Sequence, residues 1–157
     1  MTALAGAAAV LLLVAAVVMV RQRRVVVAVS GASMAPTLRS GDRVLVRRVP
    51  GEAVRPGEVV VVEEPGPCRP GQPTNARVKW VVKRVAAVPG DPAPPFLPAW
   101  EQGPGGCVPP GRLVLLGDNV EFSRDSRHFG SVGADRVLGV ALRRVGGGKL
   151  APRPSAP

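Results

Sequence analysis

Apolar residues follow two patterns in this chain, one long unbroken run at the start and several short valine-rich runs after it. The first run covers residues 3–20 and contains no charged residue and no proline. At about 1.5 Å per residue, a helix of this length crosses most of a hydrocarbon layer roughly 30 Å thick. Residues 1–24 are therefore predicted to form a transmembrane anchor with a basic flank. Because no Lys or Arg precedes the run, a retained anchor is favoured over a cleaved leader.

The valine-rich runs predict a series of β-strands, since each is bounded by glycine, proline or aspartate. They cover residues 25–29, 43–48, 58–63, 78–88, 112–116 and 136–144. Proline- and glycine-rich stretches at 64–77 and 92–111 predict long loops, the first of them inside a hairpin. Apart from a turn near Arg39, nothing indicates a soluble helix. The expected fold is mainly β, a small antiparallel, barrel-like sheet over residues 25–145 with a disordered tail at 146–157.

Composition limits the partners and cofactors that this domain is expected to bind. The chain holds 21 Lys and Arg against 11 Asp and Glu, a formal charge of +10, but its arginines occur in scattered pairs. Aromatic residues are only 3%, which leaves little for base stacking, so a solvated basic surface facing anionic lipid is favoured over nucleic-acid binding. No metal or cofactor is expected. Cys68 and Cys107 show no CxxC spacing, and whether they pair in an oxidising compartment is left open.

Two short motifs contain the candidate catalytic residues. Ser33 begins the run Ser-Met-Ala-Pro-Thr-Leu, and Lys83 precedes a Pro-Gly-Asp turn at 89–91. A serine hydroxyl is a weak nucleophile until a base takes its proton. Lysine can be that base only when burial lowers its pKa from about 10.4. On an extended chain Lys79 and Lys83 share one face, so periodicity leaves two candidate bases.

Four stretches, in this order and spacing, resemble the type I signal peptidase family. These are membrane-anchored Ser/Lys proteases that remove signal peptides from exported proteins. The stretches cover residues 31–38, 56–61, 83–91 and 117–130. They span essentially the whole predicted domain, so the resemblance applies to the domain and not to one isolated motif.

The resemblance implies a role for each of five residues. Ser33 is expected to be the nucleophile, and Lys83 is selected over the other lysine of its strand as the general base. Ser123 is expected to donate a hydrogen bond that orients the lysine. Asp125 and Arg127 are expected to form an ion pair that braces the site.

Four further positions bear on the mechanism that the resemblance implies. Gly31 stands where many bacterial members carry a serine or threonine whose hydroxyl helps to stabilise the oxyanion, and where the mitochondrial inner membrane peptidases have glycine. The oxyanion would then depend on the backbone N–H of Ser33. His128, the only histidine, is expected to be packed or exposed and not catalytic. Asp118 and Asn119 are expected to shape the turn beneath the site.

The resemblance also implies a function and a location. The expected function is that of a serine endopeptidase cleaving signal peptides from secretory preproteins, or of a dedicated maturation protease acting on one or a few propeptides. A single-pass protein of the cell membrane is expected, with the catalytic domain on the extracytoplasmic face. Arg21, Arg23 and Arg24 conflict with this orientation under the positive-inside rule. The loop at 96–100 is expected either to dip into the membrane interface or to pack.

Two alternatives come from other functional classes. A self-cleaving repressor of the SOS response would share the Ser/Lys dyad, but the apolar segment and residues 125–127 argue against it. A non-catalytic membrane-anchored module would not need the complete set of Ser33, Lys83 and Ser123.

Overall fold

The computed structural model describes residues 23–65 and 79–150. The predicted anchor at 3–20 and Cys68 lie outside the described residues, as do most of the loop at 64–77 and the end of the tail. Within the two described ranges, no helix is long and apolar enough to cross a membrane.

Seven strands form one curled antiparallel sheet, in the order β1-β2-β7-β3-β4-β5-β6. Their bounds are β1 (Arg24–Ala28), β2 (Arg43–Arg47), β3 (Val59–Glu63), β4 (Trp80–Ala87), β5 (Arg112–Leu116), β6 (Val132–Gly133) and β7 (Val137–Arg144). The predicted mainly β fold is confirmed, and six predicted strands appear with ends shifted by at most two residues. The two-residue strand β6 was not predicted, because so short a segment has no alternation to detect.

Helical structure in the described part is limited to single turns. Helix α1 (Ser126–Phe129) has four residues, and five turns of 3-10 helix occur in the loops. The expectation that nothing indicates a soluble helix was therefore wrong at α1. A four-residue helix is too short to produce a 3.6-residue hydrophobic period, and the Asp125 cap decides where it begins.

Strand β3 lies at the centre of the hydrophobic core because apolar residues cover both of its faces. Val60 and Val62 contact one cluster, and Val59 and Val61 contact another. The first cluster also contains Val54, Val85, Leu113, Leu115, Val132, Ala134 and Val140. Burial on both sides explains why this strand is a continuous run of valines and does not alternate with polar residues.

The turn that carries Ser33 is fixed to the second cluster by two apolar side chains. Met34 and Leu38 are both fully buried there, and the Leu38 N–H donates to the Met34 carbonyl at 2.8 Å. Ser33 thus lies on a turn whose next residue is part of the core. This packing holds the serine at a defined place beside the sheet.

Candidate active site

Lys83 is a buried lysine in the middle of strand β4. Its register partner on β3 is Val60, and only 3% of the residue is exposed. The Nζ atom donates to the Ser123 Oγ atom at 3.0 Å. Burial lowers the pKa of Lys83 below its ordinary value of 10.5, and the nearby Asp125 carboxylate opposes that effect only in part. The environment therefore favours the neutral amine, which is the form that can accept a proton.

Ser123 connects this amine to a fully buried carboxylate. Its hydroxyl donates to Asp125 Oδ2 at 2.7 Å, and the Gly117 N–H donates to the same oxygen at 2.8 Å. Since the Ser123 hydrogen is used by Asp125, Ser123 acts as an acceptor toward Lys83, so the expectation that Ser123 donates to the lysine was wrong. When the amine is neutral, its lone pair is available for another partner.

Arg127 holds Asp125 in its ionised form. Its guanidinium donates twice to the carboxylate, Nε to Oδ1 at 2.9 Å and Nη2 to Oδ2 at 2.6 Å. Burial alone would raise the pKa of Asp125, but the hydrogen bonds from Arg127, Gly117 and Ser123 lower it to about 2. The same pairing raises the pKa of Arg127. The carboxylate therefore stays charged at any pH near neutrality.

Helix α1 places Asp125 by a capping box. The Asp125 side chain accepts from the Arg127 N–H at 3.2 Å, and the Asp125 N–H donates to His128 Nδ1 at 3.4 Å. The Ser126 hydroxyl accepts from the Leu115 N–H at 2.9 Å and joins the helix to β5. The His128 side chain is 53% exposed and does not line the cleft that contains Ser33. This is a helix-capping position on the surface, as expected for a histidine without a catalytic role.

Ser33 and Lys83 line the same cleft, which has a volume of about 410 Å³. The Ser33 carbonyl accepts from the Asn119 N–H at 3.0 Å, so the turn at 117–119 contacts both the serine and the Asp125 network. The cleft walls come from the end of β1 and from the first half of β4, and they also include Phe122 and Arg124. The structure thus brings together two residues that are fifty positions apart in the sequence.

Glycine is required at two positions of the site. At one of them a side chain would not fit, and at the other the backbone has a conformation that favours glycine. A Cβ atom on Gly117 would collide with the Ser123 side chain and would lie 2.6 Å from the Ser33 carbonyl oxygen. Gly31 lines the cleft with φ +91°, a conformation that disfavours every residue with a side chain. The backbone conformation therefore accounts for glycine at this position.

Comparison with known proteins identifies the family. The family model described as "Signal peptidase, peptidase S26" matches residues 2–93 and 95–145. The chain belongs to the signal peptidase family. Its members are peptidases, and this membership agrees with the order of motifs in the sequence.

Three relatives illustrate the range of similar signal peptidase family proteins. Mitochondrial inner membrane protease subunit 1 of Schizosaccharomyces pombe is 32% identical over 124 residues, covering 76% of this chain and 72% of the relative. Mitochondrial ATP-independent inner membrane protease subunit 1a of Arabidopsis thaliana is 33% identical, covering 74% and 67%. Signal peptidase IB of Staphylococcus aureus (strain COL) is 29% identical over 148 residues, covering 71% and 72%.

Lys79, which directly precedes β4, has a different environment from Lys83 in this signal peptidase family member. Lys79 lines the same cleft, but its side chain is 72% exposed and forms an ion pair with Glu64 at 2.6 Å. Alternation left both lysines as candidates, and both of them line the cleft. Their unequal burial could not be predicted in that way.

Sequence reasoning missed a buried ion pair beside the site. Arg84 donates to both carboxylate oxygens of Asp118, Nε to Oδ1 at 2.7 Å and Nη2 to Oδ2 at 2.6 Å, and it also donates to the Gly57 carbonyl. Thr37 donates its hydroxyl to the same carboxylate. Asp118 thus joins the serine turn, the lysine strand and the turn at 117–119. The available signal was the position of Arg84, since a charge in the middle of a largely apolar central strand needs a buried partner.

The remaining predicted positions lie outside the network around Lys83. Among the described residues, Cys107 is a free thiol, and no group of three or more His, Cys, Asp or Glu side chains could hold a metal ion. In the loop at 96–100, Leu97 is buried against Ala87, Val108 and Val114, whereas Trp100 is 82% exposed. The loop is therefore packed by one side chain and presents another to its surroundings.

Proposed function

We propose that this chain is a serine endopeptidase that cleaves signal peptides from exported preproteins at a membrane surface. Ser33 is the nucleophile and Lys83 the general base. The observation that supports this most directly is that Lys83 is buried, bonded to Ser123, and lines the same cleft as Ser33. A lysine in such a place is costly for folding unless it is neutral, and a neutral lysine is what a serine nucleophile requires.

The reaction follows from the hydrogen-bond directions at the site. Lys83 accepts the Ser33 proton as the hydroxyl oxygen attacks the peptide carbonyl, and the resulting ammonium passes a proton to the departing amine. The acyl-enzyme is then hydrolysed by a water that gives one proton to Lys83, and Lys83 returns that proton to the Ser33 oxygen as the acyl–oxygen bond breaks. Asp125 stays ionised throughout and keeps Ser123 oriented, because its pKa is near 2. The oxyanion depends on backbone N–H groups, since Gly31 has no hydroxyl to offer.

The substrate is expected to bind as an extended strand in the cleft. Among the described residues, β1 pairs only with β2, and β4 pairs with β5 only from Arg84 onward. Two strand edges therefore border the cleft and offer backbone groups for pairing. Apolar side chains form much of the walls, which suits small substrate residues. The apolar residues that line the cleft on these strands include Val27, Ala28, Val29, Val81 and Val82.

The decisive test uses the full chain, purified in detergent or reconstituted in vesicles, with a secretory precursor as substrate. The cleavage rates of Ser33→Ala and Lys83→Ala are each expected to fall by roughly 10²- to 10⁴-fold. Lys79→Ala is the matched control, since Lys79 directly precedes the same strand and lines the same cleft. It is expected to stay within a few-fold of wild type. Equal losses in the two lysine variants, or full activity of folded Lys83→Ala, would contradict the assignment.

A dedicated maturation protease of the same chemistry is the second candidate. It is favoured by the names of several similar relatives, which are mitochondrial inner membrane protease subunits and not general signal peptidases. Proteomics of precursors that accumulate after depletion separates the two functions. Accumulation of many secretory precursors supports the general enzyme, and accumulation of one or a few supports the dedicated one.

The placement in the membrane is part of the same proposal. Residues 1–24 are proposed as a single transmembrane anchor and residues 25–145 as a catalytic domain on the extracytoplasmic side. Protease protection of the full chain in sealed vesicles tests the orientation. If protease digests the catalytic domain only from the cytoplasmic side, the proposed orientation is wrong.

A further inference from the structure

Three rows of residues cross the outward face of strands β1, β2 and β7. Register pairs Arg24 with Arg47 in one row and Ala28 with Arg43 in another. Directly opposed residues of antiparallel strands share a face of the sheet. The middle row is longer and contains Val26, Leu45, Arg143 and Lys149. The opposite face of β1 and β2 carries the valines that pack into the core, so these rows face outward.

Every charged side chain in these rows is basic. The five are all exposed, and within the described part of the chain none of them forms an ion pair; they are Arg24, Arg43, Arg47, Arg143 and Lys149. We call this set the basic face. Like charges placed opposite each other, as Arg24 and Arg47 are, destabilise a strand pair. An anionic surface that neutralises them would remove that repulsion.

The basic face surrounds an apolar centre and does not resemble a uniformly polar surface. Val26 is 43% exposed, and Leu45 opposite it is half-buried. Val145, whose N–H donates to the Arg43 carbonyl at 2.7 Å, is 49% exposed. Apolar side chains flanked by guanidinium groups match the boundary between acyl chains and anionic headgroups. A nucleic acid would instead need stacking groups, and these rows contain no aromatic residue.

We infer that the basic face docks on an anionic lipid surface and holds the domain against the membrane. Strand β1 begins at Arg24, only four residues after the apolar run at 3–20 ends, so a membrane that holds this run lies within reach of the face. Each basic residue near an anionic membrane adds to the attraction. Five such residues together are attracted to the membrane more strongly than a single isolated arginine is. The inference concerns a surface separate from Ser33 and Lys83 and does not depend on the proposed function.

Arginine footprinting of the full chain tests this directly. The chain is reconstituted into vesicles of phosphatidylcholine alone or with 30% phosphatidylglycerol, treated with phenylglyoxal, and read residue by residue by mass spectrometry. Arg24, Arg43, Arg47 and Arg143 are expected to react about five-fold more slowly in the anionic vesicles, and the difference is expected to disappear in 1 M salt. Arg55 is an exposed control in the same molecule, on the loop before β3, and its rate is expected to be the same in both lipids.

Two variants separate a local site from net charge. Arg24→Gln/Arg47→Gln and Arg55→Glu both lower the net charge by two. The double variant is expected to lose protection of Arg43 and Arg143, whereas Arg55→Glu is expected to keep it. Equal modification in the two lipids, or equal protection of Arg55, would overturn the inference. Protection by added RNA in phosphatidylcholine vesicles, without protection by phosphatidylglycerol, would assign the face to nucleic acid instead.

Discussion

The Lys83 amine donates to the Ser123 hydroxyl at 3.0 Å, while that hydroxyl donates its own hydrogen to Asp125 at 2.7 Å. Because the second bond is to a carboxylate with a pKa near 2, its direction does not change at neutral pH. One N–H of Lys83 is thereby fixed toward Ser123. The nitrogen lone pair is left for a proton from elsewhere in the cleft, where Ser33 lies.

Removing this hydroxyl is expected to slow catalysis without weakening substrate binding. Ser123→Ala is expected to lower kcat by about 10- to 100-fold, because the lysine loses the partner that orients it. KM should change little, since Ser123 is buried and contacts the lysine. Steady-state kinetics on a precursor peptide measures both constants. Ser30→Ala, at an exposed position lining the same cleft, is the control, and a raised KM with unchanged kcat in Ser123→Ala would contradict an orienting role.

Because the Lys83 amine is buried, the free energy of unfolding is expected to increase with pH in the alkaline range. Burial lowers the pKa of Lys83 in the folded chain, whereas the unfolded chain keeps a value near 10.5. Between those two values the unfolded chain binds more protons, so wild-type stability rises with pH until about 10.5. Lys83→Met removes this dependence. The variant is expected to melt at a higher temperature than wild type at pH 7, with the difference shrinking toward pH 10.5.

Thermal melting of both proteins in the same detergent, at several pH values, measures that difference. Lys79→Met is the comparison, because Lys79 is exposed and paired with Glu64. A Lys83→Met melting temperature that differs from wild type by a constant amount at all pH values would argue against a destabilised ammonium.

A methyl group at position 117 is expected to disturb both the Ser123 side chain and the turn that carries Ser33. Its Cβ atom would collide with Ser123 and lie 2.6 Å from the Ser33 carbonyl oxygen. Gly117→Ala is expected to lose roughly 10²-fold in activity and about 1–3 kcal/mol in unfolding free energy. Gly148→Ala is the matched control, because a Cβ atom there meets nothing within 4 Å. Wild-type kinetics in Gly117→Ala would mean that the contact is not tight in solution.

The Arg84–Asp118 ion pair is expected to show strong coupling in a double-mutant cycle. Breaking a buried pair by removing one partner typically costs about 3–5 kcal/mol, because the other charge is left without compensation. Arg84→Met and Asp118→Ala are each expected to lose about this much unfolding free energy, and the double variant to lose clearly less than the sum. Denaturant unfolding measures the free energy of unfolding of wild type, of the two single variants and of the double variant. Additive losses would show that the two side chains act independently.

Much of the fold was predictable from local pattern. Valine-rich runs between glycine, proline and aspartate located six of the seven strands, since β-branched residues and turn residues act within a few positions of themselves. Helix α1 and strand β6 escaped prediction because two to four residues contain no period. Arg84 was predicted only as part of the strand at 78–88. Its partner, thirty-four positions away, could not be identified from spacing.

The sequence by itself predicted six of the seven strands and the order of the motifs, but its periodicity left both Lys79 and Lys83 open as the base. The tertiary structure decided which lysine is buried: Lys83 lies against the Ser123 turn, and Lys79 lies at the loop end of the hairpin beside Glu64. The physical reason is that alternation along a strand assigns a face but carries no information about what covers that face. Burial, and with it the lowered pKa of one amine, comes from segments that are distant in the chain and meet only when the sheet curls.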